Sequence, residues 1–139
     1  MDGDTESTGT FCWPVRVYFE DTDAGGVVYH ANYLRFMERA RTEWLRTLGF
    51  EQDDLRERFG VQFVVTAAHV DYRRAARFNE QLMVDVTVSE VGRASLGFRQ
   101  QVHLANVLVC EAEIRVACVD VVNFKPRPLP QEIVAELNR

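Results

Sequence analysis

The sequence predicts an α+β domain in which one long central helix is wrapped by a curved antiparallel sheet of about five strands. Three observations carry that expectation. A single long helical pattern lies between Ala31 and Leu48. Four strand-length stretches follow it, most of them alternating apolar and polar residues. The apolar face of the helix is broad, so it has to be covered on more than one side, and one sheet curled around it is the economical solution.

Taken in order, Met1 to Thr10 is rich in Gly, Ser, Thr, Asp and Glu and reads as a loose tail. Residues 1–12 are assigned to a flexible N-terminal tail and residues 13–139 to a single domain. Val15 to Glu20 alternates and reads as a first strand. In the helix, Tyr33, Met37, Ala40, Trp44 and Leu48 recur at helical spacing, and Leu34, Phe36 and Leu45 widen the stripe. Arg39 and Glu43 are placed to pair across one turn, and Gly49 is a natural stop. Glu51 to Phe59 reads as a short helix or turn.

The strands follow. Gln62 to Arg74 is largely apolar. Val84, Val86 and Val88 alternate with Asp85, Thr87 and Ser89. Leu96, Phe98, Val102 and Leu104 define the apolar side of the next strand, with Gln100 as its polar exception. Ala112, Ile114, Val116 and Cys118 alternate with Glu111, Glu113 and Arg115. Turns fall near Phe78-Asn79-Glu80, Val91-Gly92-Arg93 and Ala105-Asn106. Pro126, Pro128 and Pro130 end the sheet, and Gln131 to Leu137 can form a short terminal helix. A sheet of this size leaves edges, so pairing between copies, as a homodimer or homotetramer, is expected.

A net charge of −5 argues against general nucleic-acid binding, which wants a basic face. No apolar run reaches the length of a membrane span, and no signal peptide is visible, so no membrane insertion is expected. Cys12, Cys110 and Cys118 form no framework pattern, which points to reduced thiols and a cytoplasmic protein. Cys110 and Cys118 fall on one predicted strand, roughly 26 Å apart, too far for a disulfide.

The chemistry concentrates between Glu20 and His30, where two acids, two glycines and a histidine form a turn that leads straight into the helix. A carboxylate beside a glycine turn at a helix N-terminus has anion-binding backbone next to it. Asp beside Gly is also a common turn former or cap, and that reading stays open for Asp21 and Asp23. His30 can serve as cap or site residue. Asp21 to Gly26 begins like a calcium loop, but Gly25 and Asn32 stand where ligands are required. An aspartyl phosphotransferase would need a parallel α/β sheet, and the Cys and His spacings give no zinc site, so no metal is expected.

The run Val17-Tyr18-Phe19-Glu20-Asp21-Thr22-Asp23-Ala24-Gly25-Gly26-Val27-Val28-Tyr29-His30-Ala31-Asn32-Tyr33, continuing to Glu38-Arg39-Ala40-Arg41-Thr42-Glu43, resembles the signature of hotdog-fold acyl-CoA thioesterases. It is most similar to the Tol–Pal-associated, 4-hydroxybenzoyl-CoA thioesterase-like branch. The resemblance implies the hotdog fold and a thioester hydrolase acting on acyl-CoA or acyl carrier protein, with no cofactor, CoA being part of the substrate. It implies that Asp23 is catalytic and that the backbone N–H of His30 polarises the thioester carbonyl, the His30 side chain assisting.

Thioester hydrolysis needs a nucleophile or base, donors for the oxyanion, and a hold on the anionic CoA. Asp23 can supply the first, either by direct attack or as general base on water. Backbone around Tyr29 and His30 can supply the second, with Gly25 and Gly26 letting the main chain approach the thioester. Arg73, Arg74, Arg77, Arg93, Lys125 and Arg127 are the cations available for CoA phosphates. Glu38 is an alternative catalyst, though a partly buried ion pair with a nearby arginine such as Arg41 would also explain it. The competing function is a non-catalytic acyl-CoA or acyl-carrier-protein binding module on the same fold.

Overall fold

The computed structural model describes residues 10–139. The expected tail over Met1 to Gly9 lies outside the described residues. The chain forms β1 (Phe11–Arg16), a 3-10 turn (Phe19–Asp21), helix α1 (Asn32–Thr47), a short α2 (Gln52–Asp54) continued by a π turn (Leu55–Phe59), then β2 (Val61–Tyr72), β3 (Gln81–Val91), β4 (Ser95–Leu104), β5 (Val107–Asp120) and α3 (Gln131–Leu137). The five strands make one antiparallel sheet in the order β1-β3-β4-β5-β2. This is the α+β arrangement expected, with α1 as its long helix.

α1 is where the periodicity placed it. Tyr33, Phe36, Met37, Ala40, Trp44 and Leu45 are buried against the sheet, whose inner face supplies Leu82, Val84, Val86, Leu96, Phe98, Val102, Ile114 and Val116. Trp44 meets Phe98 edge-on at 5.2 Å. The helix ends at Gly49 with φ +96°, a conformation that favours glycine. No helix among the described residues is long and apolar enough to cross a membrane.

Three local expectations are corrected. The first strand runs from Phe11 to Arg16, not Val15 to Glu20, so Phe11 and Cys12 belong to the sheet and not to a tail. Pro14 is tolerated there because β1 is an edge strand. Tyr18 to Asp21 leaves the sheet because Asp21 turns back on it: its Oδ2 accepts the Tyr18 N–H at 2.8 Å, and its own N–H donates to Tyr18 O at 2.9 Å. Glu43 pairs with Arg46 at 2.6 Å, while Arg39 lies over the Phe36 ring at 5.8 Å. Among the described residues no ion pair joins Glu38 to Arg41; Arg41 Nη1 donates instead to Gln100 Oε1 at 2.8 Å.

Gln100, the polar exception of β4, is fully buried. Its Nε2 donates to Met37 O at 3.1 Å and to Asp85 O at 3.2 Å, so it fastens α1 to the sheet. β2 is the other edge. Its register with β5 shifts between Val65 and Ala67, and its middle is exposed, Val65 by 54%.

Candidate active site

The Asp/Gly turn is built by its own hydrogen bonds. Asp21 is 2% exposed. Besides Tyr18 N–H, it accepts Asn32 Nδ2 on Oδ1 at 2.9 Å, so this carboxylate joins the 3-10 turn to α1 and is structural. Asp23 is exposed. Its Oδ1 accepts the Gly25 N–H at 2.8 Å, which sets the orientation of the carboxylate. Its Oδ2 has no partner among the described residues. The Asp23 N–H donates to Val27 O at 2.9 Å and the Gly26 N–H to Asp23 O at 3.0 Å, with Gly26 at φ +81° closing the turn.

These bonds decide which backbone donors remain. Gly25 and Gly26 are engaged inside the turn, and the Tyr29 N–H donates to Asp21 O at 2.9 Å. Three of the four expected oxyanion donors are thus already satisfied. The His30 N–H has no acceptor among the described residues, and neither has that of Ala31, the residue at the N-cap, where no side chain caps the helix. Ala31 went unnoticed in the sequence because every residue but proline carries an N–H; only the hydrogen bonds around it single it out. The His30 imidazole lies 4.6 Å from the Tyr29 ring and stands perpendicular to Tyr72 at 6.1 Å. Tyr72 was also missed: its hydroxyl donates to His30 O at 3.1 Å from 42 residues away.

The segment after β2 lies against the turn. The Val28 N–H donates to Ala76 O at 2.8 Å, Val27 bridges Arg77, and the Ala76 N–H donates to the Tyr33 hydroxyl at 3.1 Å. Burial is the main cause that raises the Tyr33 pKa. Val28, His30, Tyr33, Tyr72, Arg73, Arg74 and Ala75 line a pocket of about 360 Å³. Arg74 and Ala75 also border a neighbouring pocket of about 530 Å³, which Arg77 lines with Leu104, Val107 and Val109.

The six candidate cations fall into two groups. Arg73 is bound to Glu111 at 2.7 Å, which raises its pKa and holds the Glu111 carboxyl below its usual range. The Arg74 and Arg77 side chains have no acidic partner among the described residues. Arg93, Lys125 and Arg127 lie at the other end of the sheet. Tyr72 pairs with Cys110, whereas Val61 pairs with Asp120, and ten strand residues span roughly 33 Å. Arg127 is bound there to Asp120 at 2.6 Å and to Phe59 O at 3.2 Å.

Glu38, the alternative carboxylate, lies farther along α1. It borders a separate pocket of about 110 Å³ with Arg41, Trp44, Phe63, Val65 and Phe98. Cys110, across from Tyr72, is buried, and desolvation pushes its thiol up to about 12, so it is inert.

The chain matches the thioesterase-like superfamily over residues 17–137. It is 50% identical over 125 residues to the acyl-CoA thioesterase YbgC of Haemophilus influenzae, covering 90% of this chain and 92% of that protein. It is also 50% identical over 135 residues to the acyl-CoA thioester hydrolase YbgC of Escherichia coli, covering 96% and 99%. In fold it is similar to a 1,4-dihydroxy-2-naphthoyl-CoA thioesterase from Synechocystis, with a TM-score of 0.86 at 23% identity over 94% of this chain and 96% of that one. The match over nearly the whole described chain, on a sheet and helix of the expected order, makes this protein a member of the thioesterase-like superfamily, with the hotdog fold.

Proposed function

We propose that the protein hydrolyses acyl-CoA thioesters, releasing a carboxylic acid and free CoA. One observation carries this reading: Asp23 is oriented by the Gly25 N–H on the turn that leads into α1, and at the start of α1 the N–H groups of His30 and Ala31 have no acceptor among the described residues. Relatives at 50% identity that are named acyl-CoA thioesterase or thioester hydrolase support the substrate class.

Asp23 acts on the carbonyl carbon by one of two routes. As nucleophile it forms a mixed anhydride and expels the CoA thiolate, after which water cleaves the anhydride. As general base it takes a proton from water, whose oxygen attacks directly. Both routes place negative charge on the carbonyl oxygen, and the free N–H groups at the positive end of the helix meet it there. The His30 side chain orients water or protonates the thiolate. Neither route needs a cofactor. Arg74 and Arg77 hold CoA phosphates, since Arg74 borders the pocket that His30 lines, Arg77 borders the neighbouring pocket that Arg74 shares, and neither has an acid to satisfy among the described residues. An acyl carrier protein, which presents the same thioester, is the other possible substrate. The exposed edge of β2 suits pairing with a second copy, and the free thiols suit the cytoplasm.

The test is free-thiol release from short, long-chain and aromatic acyl-CoAs by the wild type beside Asp23→Asn. Release that falls about a hundredfold in the variant while acyl-CoA binding persists is the expected result. Binding without release by the wild type would make the protein a binding module. Release untouched by the substitution would exclude Asp23 and turn attention to Glu38.

A further inference from the structure

Tyr72 ends β2, and its side chain reaches from the sheet to the entry of α1. Its hydroxyl donates to the His30 carbonyl oxygen at 3.1 Å. That carbonyl belongs to the peptide joining His30 to Ala31, the peptide whose N–H, on Ala31, has no acceptor among the described residues. The rest of the helix entry is tied down: the Tyr29 N–H to Asp21 O, Tyr29 O to the Asn32 N–H at 2.8 Å, and the Asn32 side chain to Asp21. At Ala31 no side chain caps the helix, and although the Asn32–Tyr29 turn spans the His30–Ala31 peptide, no local hydrogen bond among the described residues reaches that peptide's own N–H or C=O. The hydrogen bond that reaches it comes from Tyr72, at the end of β2 that runs in register with β5 from Ala67 to Tyr72.

We infer that Tyr72 is a positioning residue for the thioester oxyanion, fixing and polarising the His30–Ala31 peptide at the helix entry. The inference rests on the thioesterase reading of the site. Two physical effects support it. A hydroxyl bonded to a peptide oxygen draws density from the peptide nitrogen and strengthens its N–H as a donor, by about 10–30% per bond in a chain of hydrogen bonds. A donor fixed before the reaction also needs no reorganisation when charge develops. The neighbouring Tyr33, 5.8 Å away, is not equivalent: its hydroxyl accepts the Ala76 N–H and so secures the arginine segment. A phenol is protonated at neutral pH, so the Tyr72 hydroxyl is available as a donor there.

Tyr72→Phe keeps the ring and removes the donor. The expected result is a roughly tenfold fall in kcat on acyl-CoA, less than for deleting a direct oxyanion donor, with KM changed less than about threefold. A trifluoromethyl-ketone analogue of acyl-CoA, whose hydrate mimics the tetrahedral intermediate, should lose affinity by the same factor as kcat. A non-hydrolysable thioether analogue should bind unchanged. A kcat equal to wild type overturns the inference. So does an equal loss for both analogues, which would make Tyr72 a residue of ground-state binding. Asp23→Asn run alongside separates the two levels: full activity in that variant faults the site itself, whereas an inactive Asp23→Asn with a fully active Tyr72→Phe faults only the role of Tyr72.

Discussion

Asn32 Nδ2 and Asp21 Oδ1 lie 2.9 Å apart, and this bond fastens the first residue of α1 to the turn that carries Asp23. Two aspartates two residues apart therefore have different tasks. Asp21 is buried with two side-chain contacts, and Asp23 is exposed with one oxygen free among the described residues.

Asp21→Ala should destabilise the fold by about 2–3 kcal/mol, because it strands the Tyr18 N–H and the Asn32 amide. Asn32→Ala, which breaks only one of these bonds, should cost about half as much. Urea unfolding of both, with Asp23→Ala as reference, measures the difference. If Asp23→Ala were the least stable of the three, the structural assignment of Asp21 would fail.

The CoA contacts divide by position along the sheet. Arg74→Ala and Arg77→Ala should each raise KM for acyl-CoA about fivefold to tenfold with kcat nearly unchanged, as expected for lost uniform binding of a phosphate. Acyl-pantetheine, which lacks the nucleotide, should not distinguish them from wild type. Arg127→Ala should leave KM alone and lower the melting temperature, since it removes the partner of Asp120 and the donor to Phe59 O. A raised KM in Arg127→Ala, with Arg74→Ala silent, would reverse the assignment.

What could be read from the sequence follows the range of the forces involved. The period of Tyr33, Met37, Ala40 and Trp44 defined α1, and the alternation of Val84 to Val88 and Ala112 to Cys118 defined strands, because both patterns are local. β1 was misplaced because its partner, β3, is some seventy residues away, and because the Asp21 side chain draws Tyr18 and Phe19 out of an extended run. That a turn carrying Asp23 and His30 leads into α1 was legible from residue type, while the roles given to the two residues came from the resemblance. Which N–H groups near them stay free was not legible, since that depends on the bonds of Asp21, Val27 and Asn32. Arg127 and Arg74 look alike as charges, and only the register of β2 on β5 sets them at opposite ends.

Gln100→Leu tests the buried link between α1 and the sheet. Three partners depend on this one amide: Arg41 Nη1, Met37 O and Asp85 O. Leucine fits the apolar side of β4 but leaves the half-buried Arg41 guanidinium without its acceptor, and desolvation already lowers the Arg41 pKa. The loss should be about 2–4 kcal/mol. A double variant, Gln100→Leu with Arg41→Met, should recover much of it, since the stranded charge is gone. Failure of the second substitution to recover stability would show that the Met37 and Asp85 carbonyls, and not Arg41, dominate the cost.

Asp120 gives the fold a defined acid response. Its carboxylate accepts the Val122 N–H at 2.8 Å, the Asn123 N–H at 3.2 Å and Arg127 Nη1 at 2.6 Å. The Val122 and Asn123 N–H groups, with Arg127 adding to them, hold its pKa below the usual aspartate value. A carboxyl whose pKa is lower in the folded chain binds fewer protons folded than unfolded in the window between the two values. Its contribution to stability is therefore complete above the ordinary value of about 3.9 and is lost as pH falls through the folded one. Asp120→Asn should melt below wild type at pH 7, and the gap should close as the pH is lowered past that window. A gap that is as large at pH 3 as at pH 7 would mean that the loss comes from altered packing at the end of β5 and not from the charge, and a gap that widens on acidification would contradict the direction of the shift.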